Sequence, residues 1–519
     1  MSVINLSPVT VSALQTAVNN TSVSVIVIPA GTYTLTGFIT ISRNNFTIEA
    51  SGNVIFTGGN LSFGIIGNNC MLRNLQFVNT SAFMGILKKP AKVLFSANDL
   101  ISISGNNNTI TGVNINSVYA YHIIYVDGIS QNTVISYTNI ENKLIDANNL
   151  TGTALLNSMV QLVGNQNNDP TFVNNARIHH CSFQNMSGGG GKDIGADFGC
   201  EPIRIGNSSS STCNLSTIVE YCVFNNVGLA DNETISIKSM NNIIRYNTFS
   251  NNSFGYVSFR NGNNNIAYGN FHINSAGVRF KQASNCSVYN SYFENCTRPC
   301  EWINLSTLGY PDYKKLYKQN INVQNNTFYN CTPVSLDLYD LSQNTFANNI
   351  LVADANDKFV SDLSSVSIFD SSLNRMLISG NLGPIFDSCG NILSMPCSIG
   401  DINGFNVSGN MCFGGVVNVT DPVTGFQYIN PMLQQNTAGY ASITSTSPSI
   451  EQGINPNSPL LFVSGIDTDA SLNLDITGAT RVLSSTGNND IGCNQIATTG
   501  SPTNTPLTVT MVGPAYLRP

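Results

Sequence analysis

The chain has 519 residues, 42% of them apolar and only 10% charged, with a formal net charge of -7 and a pI near 5.1. An acidic chain without a basic tail excludes nonspecific affinity for nucleic acid, and no apolar run is long enough to insert into a membrane. Polarity comes mainly from Asn, Ser, Thr and Gly, which predicts many short strands joined by tight turns and almost no long helix.

The opening MSVINLSPVTVSALQTAVNN lacks the basic segment and continuous apolar stretch of a signal peptide, so the chain reads as soluble. An extracellular or particle-associated setting is expected, and nothing in the sequence specifies an oligomeric state. The segment LQTAVNNTSVSVIVIPAGTYTLTG predicts a short helix followed by the first strands, together covering the N-terminal end of an apolar core.

From there one pattern recurs: an Asn, alternating apolar residues, then Phe or Ile. It runs from Asn69 to Phe77, Asn132 to Ile140, Asn175 to Phe183, Asn241 to Phe249, Asn263 to Phe271, Asn285 to Phe293 and Asn320 to Phe328. Phe249, Phe271 and Phe293 are each 22 residues apart, about one three-strand coil of a solenoid. The expected fold is therefore all-β, a right-handed single-stranded parallel β-helix with an N-terminal cap. The three Phe side chains should form one inward column, and the recurrent Asn side chains should pair between neighbouring coils.

The β-helix is expected to occupy residues 1–425, with 426–519 as an irregular C-terminal cap packed along it. Residues 186–202 and 297–319 break the period and read as loops, the latter carrying Trp302 and Tyr310, which suit either sugar stacking or burial. Thirteen cysteines without a CxxC pair give neither a zinc spacing nor a disulfide framework; most read as buried thiols, with one pairing among Cys286, Cys296 and Cys300 left open.

Chemistry concentrates between Ala230 and Phe271. Lys238 and Arg260 are 22 residues apart, which should set them side by side on adjacent coils. Asp231 and Glu233, two residues apart, point to the same side of a strand. Residues 225–282 carry Lys238, Arg245, Arg260, Arg279 and Lys281 against only these two acids, a positive strip on an acidic protein. Such a strip suits an anionic polysaccharide, and the acidic pair suits calcium. A lysine beside an arginine guanidinium is biased towards its neutral form, as a base that removes the C5 proton of a uronate requires.

The strings ETISIKS and FRNG resemble the signature segments of polysaccharide lyase family six, the family of chondroitinase B and many alginate lyases. Its pattern is close to E-x-I-S-x-K-S followed one coil later by F/L-R-H-G, and EPIRIG and AGVRF fit it too. The resemblance is specific over about residues 174–296 and looser from GTYTL to SPSIEQG. It implies a lyase that cleaves a uronic-acid polysaccharide, alginate first, by calcium-assisted β-elimination to 4,5-unsaturated ends. Lys238 would be the Brønsted base and Arg260 the acid or leaving-group stabiliser. Asp231 and Glu233 would bind calcium, with Glu201 as a substitute for the family's Asn ligand, and Arg204, Arg279, Asn261 and Lys281 would contact substrate. Asn261 stands where the family has His, so any help from that His is absent or replaced. His122, His179, His180 and His272 read as hydrogen-bonded structural residues. The alternative is a non-catalytic β-helix of a virion or cell surface that grips acidic glycans. A hydrolase would need two carboxylates flanking the scissile bond, which the Lys–Arg arrangement does not favour.

Overall fold

The computed structural model describes residues 2–82, 99–144, 158–164, 171–186, 201–207, 211–228, 233–252, 255–281, 283–296, 299–303, 320–331, 334–337, 344–352, 375–378, 385–386, 392–393, 406–413, 426–454, 474–482, 488–496, 498–501 and 503–514. These form two compact units, Met1–Met240 with Leu507–Pro519, and Asn241–Pro506.

In the first unit, the helix Val11–Asn19 begins at Thr10, whose hydroxyl accepts from Ala13 N at 3.1 Å, satisfying one of the free N–H groups of the first turn. Its buried Leu14, Ala17 and Val18 lie against the first strands, as an end cap requires. Each following coil contributes three short strands. Thr109–Thr111, Asn114–Asn116 and His122–Val126 belong to one coil and pair in parallel with Val134–Ser136, Asn139–Glu141 and Ser158–Leu162 of the next. Ile101, Ile124, Val160, Ile203 and Ile235 follow one another in register and form an apolar column.

The bends between strands use the left-handed backbone region, which Asn tolerates better than other non-glycine residues. Asn69, Asn107, Asn132 and Asn175 all have φ between 52° and 56°. Asn69 Nδ2 donates to Asn45 Oδ1, and Asn132 Nδ2 to Asn107 Oδ1, each at 2.9 Å. In the second unit, Asn326 Nδ2 donates to Asn349 Oδ1, whose own amide donates to Asn410 Oδ1. These ladders are the expected cross-coil Asn pairs.

The second unit repeats the three-strand coil but corrects the Phe column. Phe249 is the Cα partner of His272, His272 of Phe293, and Phe293 of Phe328. Their rings stack at 4.6, 4.7 and 4.8 Å between centroids. Phe271 lies one residue out of register with this column, on the opposite side of its strand. There it meets Tyr292, Tyr440, Ile476 and Cys493. The equal 22-residue spacing concealed one coil step of 23 and one of 21. Because positions 271 and 272 both carry rings, either could enter the column; the one left outside is covered by the C-terminal segment.

That segment lies along this unit's coils. Ala441 N donates to Tyr292 Oη at 2.9 Å, Cys493 N to Thr327 Oγ1 at 3.1 Å, and Asn504 Nδ2 to Gly269 O at 2.8 Å. Arg481, fully enclosed, donates to Asn290 Oδ1 and to the carbonyls of Leu474, Gly492 and Cys493. Parallel pairing extends past the expected boundary at 425, since Phe426–Tyr428 pairs with the strand Asn410–Phe413. Cys286, Cys296 and Cys300 are all buried free thiols, so no disulfide joins those three. No helix among the described residues is long and apolar enough to cross a membrane.

Candidate functional site

In the first unit the strands His122–Val126, Ser158–Leu162, Ile203–Ile205 and Glu233–Ile237 lie side by side in parallel. Alternation sends Ile203 and Ile205 into the apolar column and Arg204 to the opposite side, level with Gln161 and Ser236. Continuing that register back by two residues places Glu201 level with Ser158 and Glu233.

Glu201 is fully buried and meets two cations. Its Oε2 is 2.5 Å from Arg204 Nη2, three residues on, and its Oε1 accepts from Lys238 Nζ at 3.2 Å. All three side chains are at least nine-tenths buried. Burial alone would discourage the charge on Glu201, but Arg204 and Lys238 outweigh it and hold the carboxyl well below the usual carboxylate range. The backbone of Lys238 is fixed as well, since its N–H donates to Ile205 O at 2.7 Å. Gly206, at φ +85°, lets the chains run close: a Cβ there would come within 3.0 Å of the Lys238 carbonyl oxygen.

His122 completes this end of the sheet. Its Nδ1 lies 2.7 Å from Ser158 Oγ, and its ring stacks on Tyr125. Burial first, then the positive charges of Arg204 and Lys143, push the imidazole down to about 3, with Glu201 opposing. It is therefore neutral near pH 7, a hydrogen-bonded residue as expected.

In the second unit, Arg260 is the Cα partner of Lys281, and both are half-buried. The strand alongside holds Glu301, whose Oε2 accepts from Arg279 Nε at 2.8 Å. The Arg279 guanidinium also lies 3.8 Å from the centre of the Tyr256 ring. Arg279 is buried between these two partners, whereas Arg260 and Lys281 keep access to solvent. Asn261 follows Arg260 at φ 65°, its N–H donating to Lys281 O at 3.1 Å. In that left-handed turn Asn is among the few non-glycine residues accommodated without strain.

Lys238, Glu201 and Arg204 thus meet in one unit, and Arg260, Lys281 and Asn261 in the other. Asp231, Tyr310 and most of the 186–202 and 297–319 segments lie outside the described residues. The expected calcium set fares differently. Glu201 is committed to two cations, and no group of three His, Cys, Asp or Glu side chains able to hold a metal ion occurs among the described residues. With Glu201 paired in this way, the described residues do not fit calcium with Glu201 as a ligand. Sequence reasoning missed the pairing of Glu201 with Lys238 altogether. The available signal was Glu201 three residues before Arg204, one coil ahead of the ETISIKS string.

No family model matches the chain, and no curated protein matches it. Solved structures do. The alginate lyase AlyGC of polysaccharide lyase family six superposes with a TM-score of 0.61 at 17% identity over 91% of this chain and 59% of its own. A family-six alginate lyase in complex with a trisaccharide gives 0.57 at 17% identity, over 86% of this chain and 91% of that one. A mannuronic-acid-specific family-six lyase from human gut microbiota gives 0.55 at 18% identity, over 82% and 90%. The chain spans about three-fifths of AlyGC's length and nine-tenths of the other two. At these identities the likeness establishes the parallel β-helix fold.

Proposed function

We propose that this protein is a polysaccharide lyase that cleaves a uronic-acid polymer by β-elimination, with alginate as the first substrate to examine. The observation that carries the reading is the enclosed Lys238 amine, held at a fixed place on a sheet of a β-helix similar to family-six alginate lyases. In the proposed reaction the Lys238 amine takes the C5 proton. The electron pair left behind forms the C4–C5 double bond, and the C4–O bond breaks with its pair going to the leaving oxygen, which then takes up a proton. Arg260 would stabilise that oxygen, with Lys281 adding positive charge for the substrate carboxylate beside it. Asn261 would supply an amide hydrogen bond in place of an imidazole. Arg204 and Arg279, both held by buried glutamates, would shape the sheet surface under the sugar.

The second reading is an acidic-glycan binder without turnover. It draws support from the ion pair of Lys238 with Glu201, which holds the lysine amine in a charge contact away from any sugar. Incubation with alginate, polymannuronate, polyguluronate and dermatan sulfate separates the two. Growth of the ultraviolet absorbance of unsaturated ends supports the lyase; retention of intact polymer without that absorbance supports the binder.

A further inference from the structure

Two pairs of buried thiols take no part in the proposed reaction. In the first unit His179 is the Cα partner of Glu220 and Ser182 of Val223, so Cys181 and Cys222 stand level on neighbouring coils. In the second unit Glu294 is the Cα partner of Tyr329, and the same register sets Cys296 level with Cys331 two residues on. Backbone bonds tie the coils together at both corners: Val223 N donates to Cys181 O at 2.9 Å, and Asn295 N to Tyr329 O at 3.1 Å. All four side chains are buried.

Coil stacking puts level Cα atoms about 4.8 Å apart, inside the roughly 4.4–6.8 Å that a disulfide spans. The thiols of each pair also act on one another. Burial first, then contact with the Cys181 thiol, push Cys222 up, and burial and then the Cys296 thiol do the same to Cys331. By contrast, Cys286 stands level with Ile321 and Cys300 with Val278, so neither meets a thiol on that side.

We infer that Cys181 with Cys222, and Cys296 with Cys331, are the sites of two cross-coil disulfides that close when the chain folds in contact with a small-molecule disulfide. In each pair one cysteine thiolate attacks the added disulfide and expels one small thiol. The second cysteine thiolate then attacks the protein-bound sulfur and expels the other. Per bond the protein gives up two protons and two electrons, and the added disulfide becomes two thiols. Burial sets the timing: stacked coils close the sulfurs off from a dissolved oxidant, so the bonds form as the coils meet. In a reducing medium the same coils close around thiols, with Cys181 Sγ donating to His179 O at 3.3 Å and Cys296 Sγ to His272 O at 3.4 Å. Each bond ties one coil and its connecting loops into a ring, which takes conformational freedom chiefly from the unfolded chain.

The test unfolds the full-length protein in reductant and refolds it either with reduced and oxidised glutathione or with reductant alone. Remaining thiols are then alkylated in denaturant and the peptides mapped by mass spectrometry. Oxidative refolding should join the peptide of Cys181 to that of Cys222, and the peptide of Cys296 to that of Cys331, with two hydrogens lost per bond. Cys286 and Cys300 should be alkylated, and reductant alone should give no joined peptides. The denaturant midpoint should be higher for the oxidised protein, and Cys222→Ser and Cys331→Ser together should abolish that gain. Serine suits both corners, because Thr138 stands level with Cys181 and donates to Ser136 O at 3.0 Å, and Ser275 stands level with Cys296. Alkylation of all four thiols after oxidative refolding, or their joining to other cysteines, overturns the inference, as does a midpoint gain that survives both replacements. Should a serine variant fail to fold, the peptide map of the wild-type protein decides alone.

Discussion

Arg260 and Lys281 are Cα partners on neighbouring strands, so two cations stand next to each other at the ends of those strands. In the proposed function a substrate carboxylate would lie beside this pair of like charges. Lys281→Ala should therefore raise KM for a cleaved uronan by about three- to tenfold, with kcat changed less than twofold, as loss of a half-exposed charge contact predicts. The wild-type KM should also rise with salt more steeply than that of the variant. Steady-state kinetics at two ionic strengths checks both, and an unchanged KM would remove Lys281 from the substrate path.

His272, enclosed in the column between Phe249 and Phe293, is pushed down to about 3 by burial. In the unfolded chain it binds a proton below about pH 6.5. Between those values the unfolded state holds more protons, so folding stability falls as pH falls, by about 1.4 kcal/mol per unit for this residue at full effect. His272→Phe extends the stack with a ring that never charges. The denaturant midpoint of the second unit should then drop less between pH 7 and pH 4.5 in the variant than in the wild type. Equal drops would mean that His272 titrates normally and is not enclosed.

The Asn ladders and the alternating apolar columns were legible because each follows from local rules: which residues enter a left-handed bend, and which side of a strand a residue faces. Lys238 and Arg260 stood out in the same way, as rare charges on matching strings. The fate of Phe271 was not legible, because residues 271 and 272 are both rings. The ring that stays outside the column, Phe271, packs against Tyr440 and Cys493, far along the chain. The pairing of Glu201 with Lys238 was missed for a related reason. Its partner Lys238 lies 37 residues away, beyond an entire coil and its connecting loops, so no local spacing reveals that the carboxylate is already taken.

The calcium expectation is tested by chelation. If Asp231 and Glu233 hold an ion that the reaction needs, turnover of a cleaved uronan should be lost in chelator and restored by added calcium, and Glu233→Ala should behave like the chelated protein. Full turnover in chelator would remove calcium from the reaction.

Replacement of Lys238 tests the chemistry most directly. Lys238→Ala removes the amine but leaves the Glu201 contact with Arg204, so the charge of Glu201 keeps a partner and the sheet should hold. Unsaturated product should fall by about a hundredfold or more, the usual contribution of a positioned base. Binding of the polymer should change no more than a few-fold, because Arg260 and Lys281 remain. Arg260→Lys completes the comparison: it keeps the positive charge but loses the planar, multiple-donor fork that would hold a leaving oxygen. It should bind normally and turn over slowly. Wild-type turnover by Lys238→Ala would refute the proposed base, whereas equal loss of binding and turnover would make Lys238 a binding cation and favour the non-catalytic reading.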